Sequence, residues 1–335
     1  MSIAIKNRTR AIGGLTILFA VCGAAAVPER LIGTSAPIIA LWRDRGDMHA
    51  LDLYGGAGGR AHQPPAGVFR FVKEDREGTS PKFDIEDNEG VEWKVKLGEE
   101  SQAETAATRL LWAAGYFADE DYYVPELRVE GIGKLHRGGK YVFDGGVIHG
   151  ARLERHIKGQ KKAGNWSWFE NPYVGTKEFN GLRTLMALVN NWDLKDINNA
   201  IYENKGEEGV RYVVTDMGAT FGRTGNPLVR SKSNMKEYVE SRFIRKSNAE
   251  SLDLYLKSRP FFLTIFDFHN YRMRTRMEGI AKDIPVIDAK WLGRILGQLT
   301  AEQIADCFRA GGYSDAEIEG YTNAVEERIA DLNRL

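Results

Sequence analysis

Asp193, Asn198 and Asp216 stand out as side chains able to work on a metal-bound phosphate, in the stretch NNWDLKDINNAIYENKGEEGVRYVVTDMG, residues 190–218. Asp193 and Asn198 lie five residues apart, and Asp216 comes just ahead of Met217 and Gly218. Between them, residues 200–202 and 212–214 are short apolar runs on either side of a polar, glycine-containing segment, the pattern of a β-hairpin. Loop carboxylates and an amide at the two ends of a hairpin suit a metal-phosphate site. The same residue types also make Asx-turns, a reading that needs no ligand.

The spacing resembles the protein-kinase pattern H-R-D-L-x-x-x-N, hairpin, D-F-G, whose residues have defined jobs. The resemblance implies that Asp193 accepts the proton of an attacking hydroxyl, that Asn198 and Asp216 hold magnesium, and that Lys195 faces the transferred phosphoryl group. The chain departs from the pattern where Asn191 replaces His, Trp192 replaces Arg and Met217 replaces Phe. The N-x-D form with an Asn five residues beyond the Asp is more similar to the atypical branch that holds HipA-type toxin kinases and phosphatidylinositol kinases.

The elements that must position such a site lie upstream. Residues 68–73, 82–85 and 91–97 read as three antiparallel strands, with turn residues at 86–90. The loop Gly78-Thr79-Ser80-Pro81-Lys82 resembles the G-x-x-P-K phosphate loop of HipA-type kinases, where small hydroxyl residues and exposed backbone N–H groups approach phosphate oxygens. In WKVKLG, residues 93–98, Lys94 and Lys96 point to one face because the side-chain period is two. Lys96, before Leu97 and Gly98, better resembles the lysine that pairs with nucleotide phosphates, and Lys94 remains open. SQAETAATRLLWAAGY follows as a helix, with Ala103, Ala106, Ala107, Leu110, Leu111 and Ala114 as its buried stripe and Gly115 as its stop. Glu104 is the expected partner of the strand lysine, as in the corresponding HipA-type helix. Alternatively, Ser101-x-x-Glu104 is a capping box.

Further strands are predicted at 122–129, 140–143 and 146–153, and order alone would place an adenine against the backbone near residues 153–155. Trp166, Trp168, Phe169 and Tyr173 read as core packing rather than a substrate platform. A helix capped by Thr176, with Leu182, Leu185, Met186 and Val189 on its apolar face, delivers the chain to Asn191. Residues 219–227 occupy the place of an activation loop, with Arg223 and Arg230 as acceptor contacts or plain surface charge. From Met235 the pattern is largely helical, with capping boxes at Thr300/Gln303 and Ser314/Glu317. Gly56-x-Gly58 precedes Gln63-Pro64-Pro65 and no helix signal, so it fails as a dinucleotide loop. The histidines show no zinc-ligand spacing.

With 335 residues, 43% hydrophobic and 27% charged, the chain can bury a core large enough for two lobes. Lys+Arg and Asp+Glu are both 46, which leaves no electrostatic argument for nucleic acid as a partner. Lys6, Arg8 and Arg10 precede an apolar run over 11–26 that ends Ala24-Ala25-Ala26, the form of a bacterial secretory signal cut after Ala26. Lipidation at Cys22 is disfavoured by the large Val21 before it, and the run is short for a membrane span. Cleavage would leave Cys307 as the lone cysteine, with no intramolecular disulfide and no stable span.

The sequence therefore predicts a signal peptide over 1–26, a lead-in segment over 27–67, and an α+β, two-lobed protein-kinase-like fold. Its N-lobe, with a small antiparallel sheet and one helix, covers 68–155; its mainly helical C-lobe covers 156–335. The resemblance implies an exported, periplasmic or secreted phosphotransferase that uses ATP and Mg2+ on an unidentified protein, lipid or sugar hydroxyl. Spaces outside the bacterial cytoplasm hold little ATP, so an exported scaffold or pseudokinase on the same fold is the alternative. A nucleotidyl transferase would also keep these residues.

Overall fold

The structure, a computed structural model, describes residues 39–335 apart from Thr79, Glu207, 226–227 and 259–267. The expected signal peptide and its cleavage site lie outside the described residues, as does Thr79 of the phosphate loop. The three expected strands are β2 (Val68–Asp75), β3 (Lys82–Glu86) and β4 (Glu92–Leu97), paired as an antiparallel meander. After the first helix come β5 (Asp121–Glu130), β6 (Val142–Phe143) and β7 (Val147–Arg155). The order is β4-β3-β2-β5-β7-β6, and β4 also pairs with β7, so the five longer strands close on themselves. The strand expected over 140–143 is shorter because Gly138, left-handed at φ 83°, leads into a 3-10 turn over Gly139–Tyr141.

Side-chain alternation gives this closed sheet two different faces. Phe69, Phe83, Ile85, Trp93, Val95, Leu97, Tyr122, Leu127, Ile148 and Leu153 pack together inside as one hydrophobic cluster. The opposite face carries cross-strand rows of charge, Lys82, Lys96 and Arg152 in one and Asp84, Lys94, Glu154 and Asp121 in the next. Against these charges lies α1 (Glu100–Ala113).

The apolar stripe of α1, Ala103, Ala106, Ala107, Leu110 and Leu111, is buried in a second and larger cluster. That cluster includes Leu41, Met48 and Leu53, so part of the lead-in segment packs into the core. Gly115 ends the helix with φ 99°, where a Cβ would stand 2.1 Å from Trp42 Nε1; only glycine fits there. Residues 56–58 form a 3-10 turn with no α-helix behind it.

The other elements surround the hairpin. A short β1 (Ile39–Ala40) pairs parallel with β10 (Val210–Val214), which pairs with β9 (Asn199–Asn204) and then β8 (Gln160–Gly164). α2 (Lys177–Leu188) begins where the Thr176 hydroxyl accepts from Phe179 N, and buries Leu182, Leu185 and Met186. Trp166 and Trp168 are buried beside Phe179, whereas Phe169 stays exposed beneath Arg276.

Beyond α3 (Met235–Val239) the expected largely helical pattern is interrupted by β11 (Ile244–Ser247), β12 (Ser251–Leu254) and β13 (Ile284–Pro285), a small sheet. These strands are two to four residues long, too short for an alternation to register, although Leu252 and Leu254 are buried two apart. The chain ends with α4 (Phe268–Glu278), α5 (Val286–Leu296), α6 (Ala301–Ala310) and α7 (Asp315–Arg334), and both predicted capping boxes are formed. Among the described residues no helix is long and apolar enough to cross a membrane.

Candidate functional site

The loop after α2 is held from several sides. Asn190 takes a left-handed backbone, φ 56°, as asparagine can just past a helix end. Arg328 of α7 donates to Leu188 O at 2.6 Å and to Asn190 Oδ1 at 2.9 Å, and Asn190 Nδ2 donates to Gly222 O at 2.6 Å. Phe221 N donates to Val189 O and Trp192 N to Ala219 O, so residues 189–192 and 219–221 run side by side. Asn191 accepts from Asp193 N at 3.2 Å and points Nδ2 at the sulfurs of Met186 and Met217. Two departures from the kinase pattern, Asn191 and Met217, thus contact each other.

Asp193 presents both carboxylate oxygens to cations: Oδ2 accepts from Lys195 Nζ at 2.9 Å and Oδ1 from Arg274 Nη1 at 2.8 Å. Asn198 Nδ2 donates to Asp193 O at 2.7 Å, which leaves Oδ1 as the atom of that amide able to ligate a metal. The hairpin register pairs Asn199 with Val214, and Thr215 N donates to Asn198 O at 3.0 Å. This places Asn198 and Asp216 at the foot of the hairpin, on the two chain segments leaving it. One carboxylate and one amide oxygen fit magnesium, which seldom takes an all-protein cage and completes its shell with phosphate oxygens and water. No three His, Cys, Asp or Glu side chains converge as a ready metal cage among the described residues.

Lys96 comes down from β4 to meet Asp216. Its Nζ lies 2.8 Å from Glu104, 2.8 Å from Glu100 and 3.0 Å from Asp216, and its side chain is 3% exposed. Lys94 instead lies 3.7 Å from Asp75 with its side chain 43% exposed. Of the two lysines left open by the sequence, Lys96 is the one at the site. Glu104 is its buried partner, 3.3 Å also from Arg152 Nε. The capping-box alternative is not formed: α1 starts at Glu100, and Ser101 Oγ donates to Lys96 O at 2.8 Å. Gly218 has to be small, because a Cβ there would stand 2.8 Å from Glu100 Cβ.

Charge compensation outweighs burial at Lys96, Asp216 and Glu100, whereas at Glu104 burial wins and pushes the carboxyl up to about 7. Burial alone would lower the Lys96 ammonium, but Glu104, Asp216 and Glu100 outweigh it and hold the lysine charged well above its usual range. Burial pushes Asp216 up, and Lys96 more than offsets it, so the carboxyl sits below its ordinary value. For Glu100 burial is again outweighed, by Lys96 and Lys232, which bring it down to about 2.

A depressed carboxyl stabilises the fold above its unfolded value, near 4.5, and that contribution disappears as pH falls toward 2. The shift corresponds to on the order of 3 kcal/mol. Denaturant unfolding should therefore find Glu100→Gln less stable than wild type at pH 6, with the gap closing toward pH 2; a gap independent of pH would contradict the pairing.

The phosphate loop only partly reaches the cluster. Ser80 Oγ donates to Glu100 Oε2 at 2.8 Å, and Gly78, with φ 66°, has its carbonyl held by Arg137. Lys82, the cross-strand neighbour of Lys96, lies 3.7 Å from Asp75. The expectation for the adenine is corrected: β7 is paired on both edges through residues 151–155, and the N–H groups of Arg155 and His156 go to Glu120 O and Glu92 O. A strand inside a closed sheet has no free edge for a nucleobase. Sequence reasoning missed Glu100, Lys232, Arg152 and Arg274. Glu100 had a faint signal, four residues from both Lys96 and Glu104, whereas Lys232 and Arg274 lie far along the chain in no motif.

No protein-family model matches this chain, and no curated protein does. Solved structures similar in shape include a Helicobacter pylori proinflammatory kinase, CtkA, at 12% identity and TM-score 0.46, over 81% of this chain and 97% of that one. The Golgi casein kinase with Mn/ADP bound is 10% identical at TM-score 0.41, over 81% and 72% of the two chains. Another structure of the Golgi casein kinase is 11% identical at TM-score 0.40, over 81% and 71%.

Proposed function

We propose that this protein is an ATP- and magnesium-dependent phosphotransferase to an alcohol, of the atypical kinase type that resembles HipA-type and phosphatidylinositol kinases. In this reading residues 68–155 are the nucleotide lobe and 156–335 the lobe that carries the chemistry. The observation that carries it is Lys96: a buried ammonium held by Glu104 on one side and Asp216 on the other, with the Asp193 and Asn198 loop across the hairpin foot. A lysine pairing with phosphates, two metal ligands and a carboxylate for the acceptor are the parts that phosphoryl transfer needs.

The roles follow from position. Lys96, steered by Glu104, pairs with nucleotide phosphates, and Ser80 and Gly78 belong to the loop over them. Asn198 Oδ1 and Asp216 would hold magnesium, which when bound would neutralise charge on the phosphate oxygens. Asp193 orients the acceptor hydroxyl and takes its proton as the oxygen attacks the γ-phosphorus; the bond to the bridging oxygen breaks and its electrons leave with ADP. Lys195 stays beside that carboxylate and faces the phosphoryl group. Fixed charges in place before the reaction are the main source of rate enhancement in such a site.

Residues 1–26 carry the further proposal that the protein acts outside the bacterial cytoplasm. Exported protein whose intact mass begins at Val27 supports this, and Met1 retained on a cytoplasmic pool removes it. The activity is tested by incubating the protein with γ-labelled ATP, magnesium and cell-envelope extract. Label should appear on an acceptor, or on the protein itself, and vanish with chelator; no transfer under any of these conditions would leave a scaffold in its place.

A further inference from the structure

Glu100, in the first turn of α1, is gripped by three donors. Its Oε2 lies 2.8 Å from Lys96 Nζ and accepts from Ser80 Oγ at 2.8 Å, while its Oε1 accepts from Lys232 Nζ at 2.7 Å. Two ammonium groups and a hydroxyl around one carboxylate reproduce what an enzyme offers a phosphate. The three donors come from distant parts of the chain: Ser80 from the loop before β3, Lys96 from β4, and Lys232 from the segment after the D-M-G turn. Lys96 has three carboxylate neighbours, and they are not equivalent. Glu104 is buried and shared with Arg152, and Asp216 lies at the hairpin foot. Glu100 alone is also gripped by Ser80 and Lys232, and stands at the first residue of a helix, where anions are favoured.

A simpler account makes Glu100 an ordinary helix-end ion pair. One such pair would need only Lys96, four residues away. It leaves unexplained why Lys232, with 29% of its side chain exposed, and Ser80 converge on the same carboxylate. Lys232 also lines a cavity of about 570 Å³ with Glu99, Gln102, Trp192, Arg230 and Asn234. Trp192, which adjoins Asp193 in sequence, puts Lys232 on the wall of a cavity that reaches the Asp193 loop.

We propose that Lys96, Lys232 and Ser80 form an anion cradle for a phosphate of the nucleotide, and that Glu100 occupies it as an internal stand-in that must swing out when the phosphate enters. This rests on the phosphotransferase reading for the identity of the ligand and adds to it a phosphate-binding residue, Lys232, and a competing carboxylate, Glu100. Nucleotide binding is then an exchange of one anion for another. In the free protein Glu100 compensates Lys232 and shares Lys96 with Glu104 and Asp216, and the same contact weakens ligand affinity.

The test is calorimetric titration of full-length protein with two probes, magnesium-ATP and inorganic tripolyphosphate. Glu100→Ala should bind both about tenfold tighter than wild type, and Lys232→Met about tenfold weaker, the worth of one charge-assisted contact. Glu100→Gln is the second variant, in case the alanine form does not fold, and should shift in the same direction. If wild type binds magnesium-ATP while Glu100 variants bind it no tighter and Lys232→Met no weaker, the cradle is overturned and the nucleotide site stands. If ATP does not bind but tripolyphosphate does, tighter without Glu100, the cradle stands and the nucleotide reading fails. Absence of binding of both probes to the Glu100 variants overturns the cradle.

Discussion

Asp193→Asn should lower phosphoryl transfer by about 10²- to 10⁴-fold, the usual worth of a positioned general base. Magnesium-ATP affinity should change little, since the proposed mechanism has Asp193 meet the acceptor and not the nucleotide. Asparagine is the informative substitution because it keeps the shape and one acceptor oxygen. Alanine would leave Arg274, 8% exposed and hydrogen-bonded to Asp193, facing an empty site. Single-turnover transfer of label, measured beside calorimetric nucleotide affinity, separates the two effects. A variant that transfers phosphate at the wild-type rate would remove Asp193 from the chemistry, and one that loses nucleotide affinity would relocate it to binding.

Lys96→Ala should abolish nucleotide binding and destabilise the fold. The lysine faces Glu100, Glu104 and Asp216, and deleting it leaves Glu104, 1% exposed, with Arg152 as its remaining cation nearby. Breaking a buried pair by removing one partner costs roughly 3–5 kcal/mol, because the other charge stays buried. Lys94→Ala is the matched control. Its pair with Asp75 is long and its side chain exposed, so a loss of about 0–1 kcal/mol is expected, with nucleotide affinity retained. Urea unfolding of both variants, with nucleotide titration of each, decides between them. Equal losses for the two lysines would contradict the different surroundings described for them.

The parts of the fold that were legible in the sequence are those with local patterns. The hairpin at 200–214, the meander of β2 to β4, the Ala/Leu stripe of α1 and the capping boxes of α6 and α7 each state their own geometry within a few residues. What is set by distant pairing was not legible. Closure of the sheet depends on β4 meeting β7, some 55 residues on, and it removes the strand edge at 153–155 that chain order suggested for adenine. The strands of the β11-β12-β13 sheet are too short to carry a period. The site divides the same way. Asp193, Asn198 and Asp216 belong to one compact motif, and Lys96 and Glu104 lie on neighbouring elements. Arg274 and Lys232 reach Asp193 and Glu100 across 81 and 132 positions, and nothing near them in the sequence marks their destination.

The most direct measurement is the magnesium-dependent stabilisation of the wild-type protein by ATP, with Asp216→Ala as the control. Ligand at about 100 times its dissociation constant adds about 2.7 kcal/mol to a folded state that binds it. For a chain of this size the melting temperature should rise by on the order of 5 °C. Asp216→Ala should lose the magnesium-dependent part of the rise, because the metal loses its carboxylate ligand. A wild-type protein whose melting temperature is unmoved by any common nucleoside triphosphate, with or without magnesium, would contradict the assignment of Lys96, Asn198 and Asp216 to a nucleotide site.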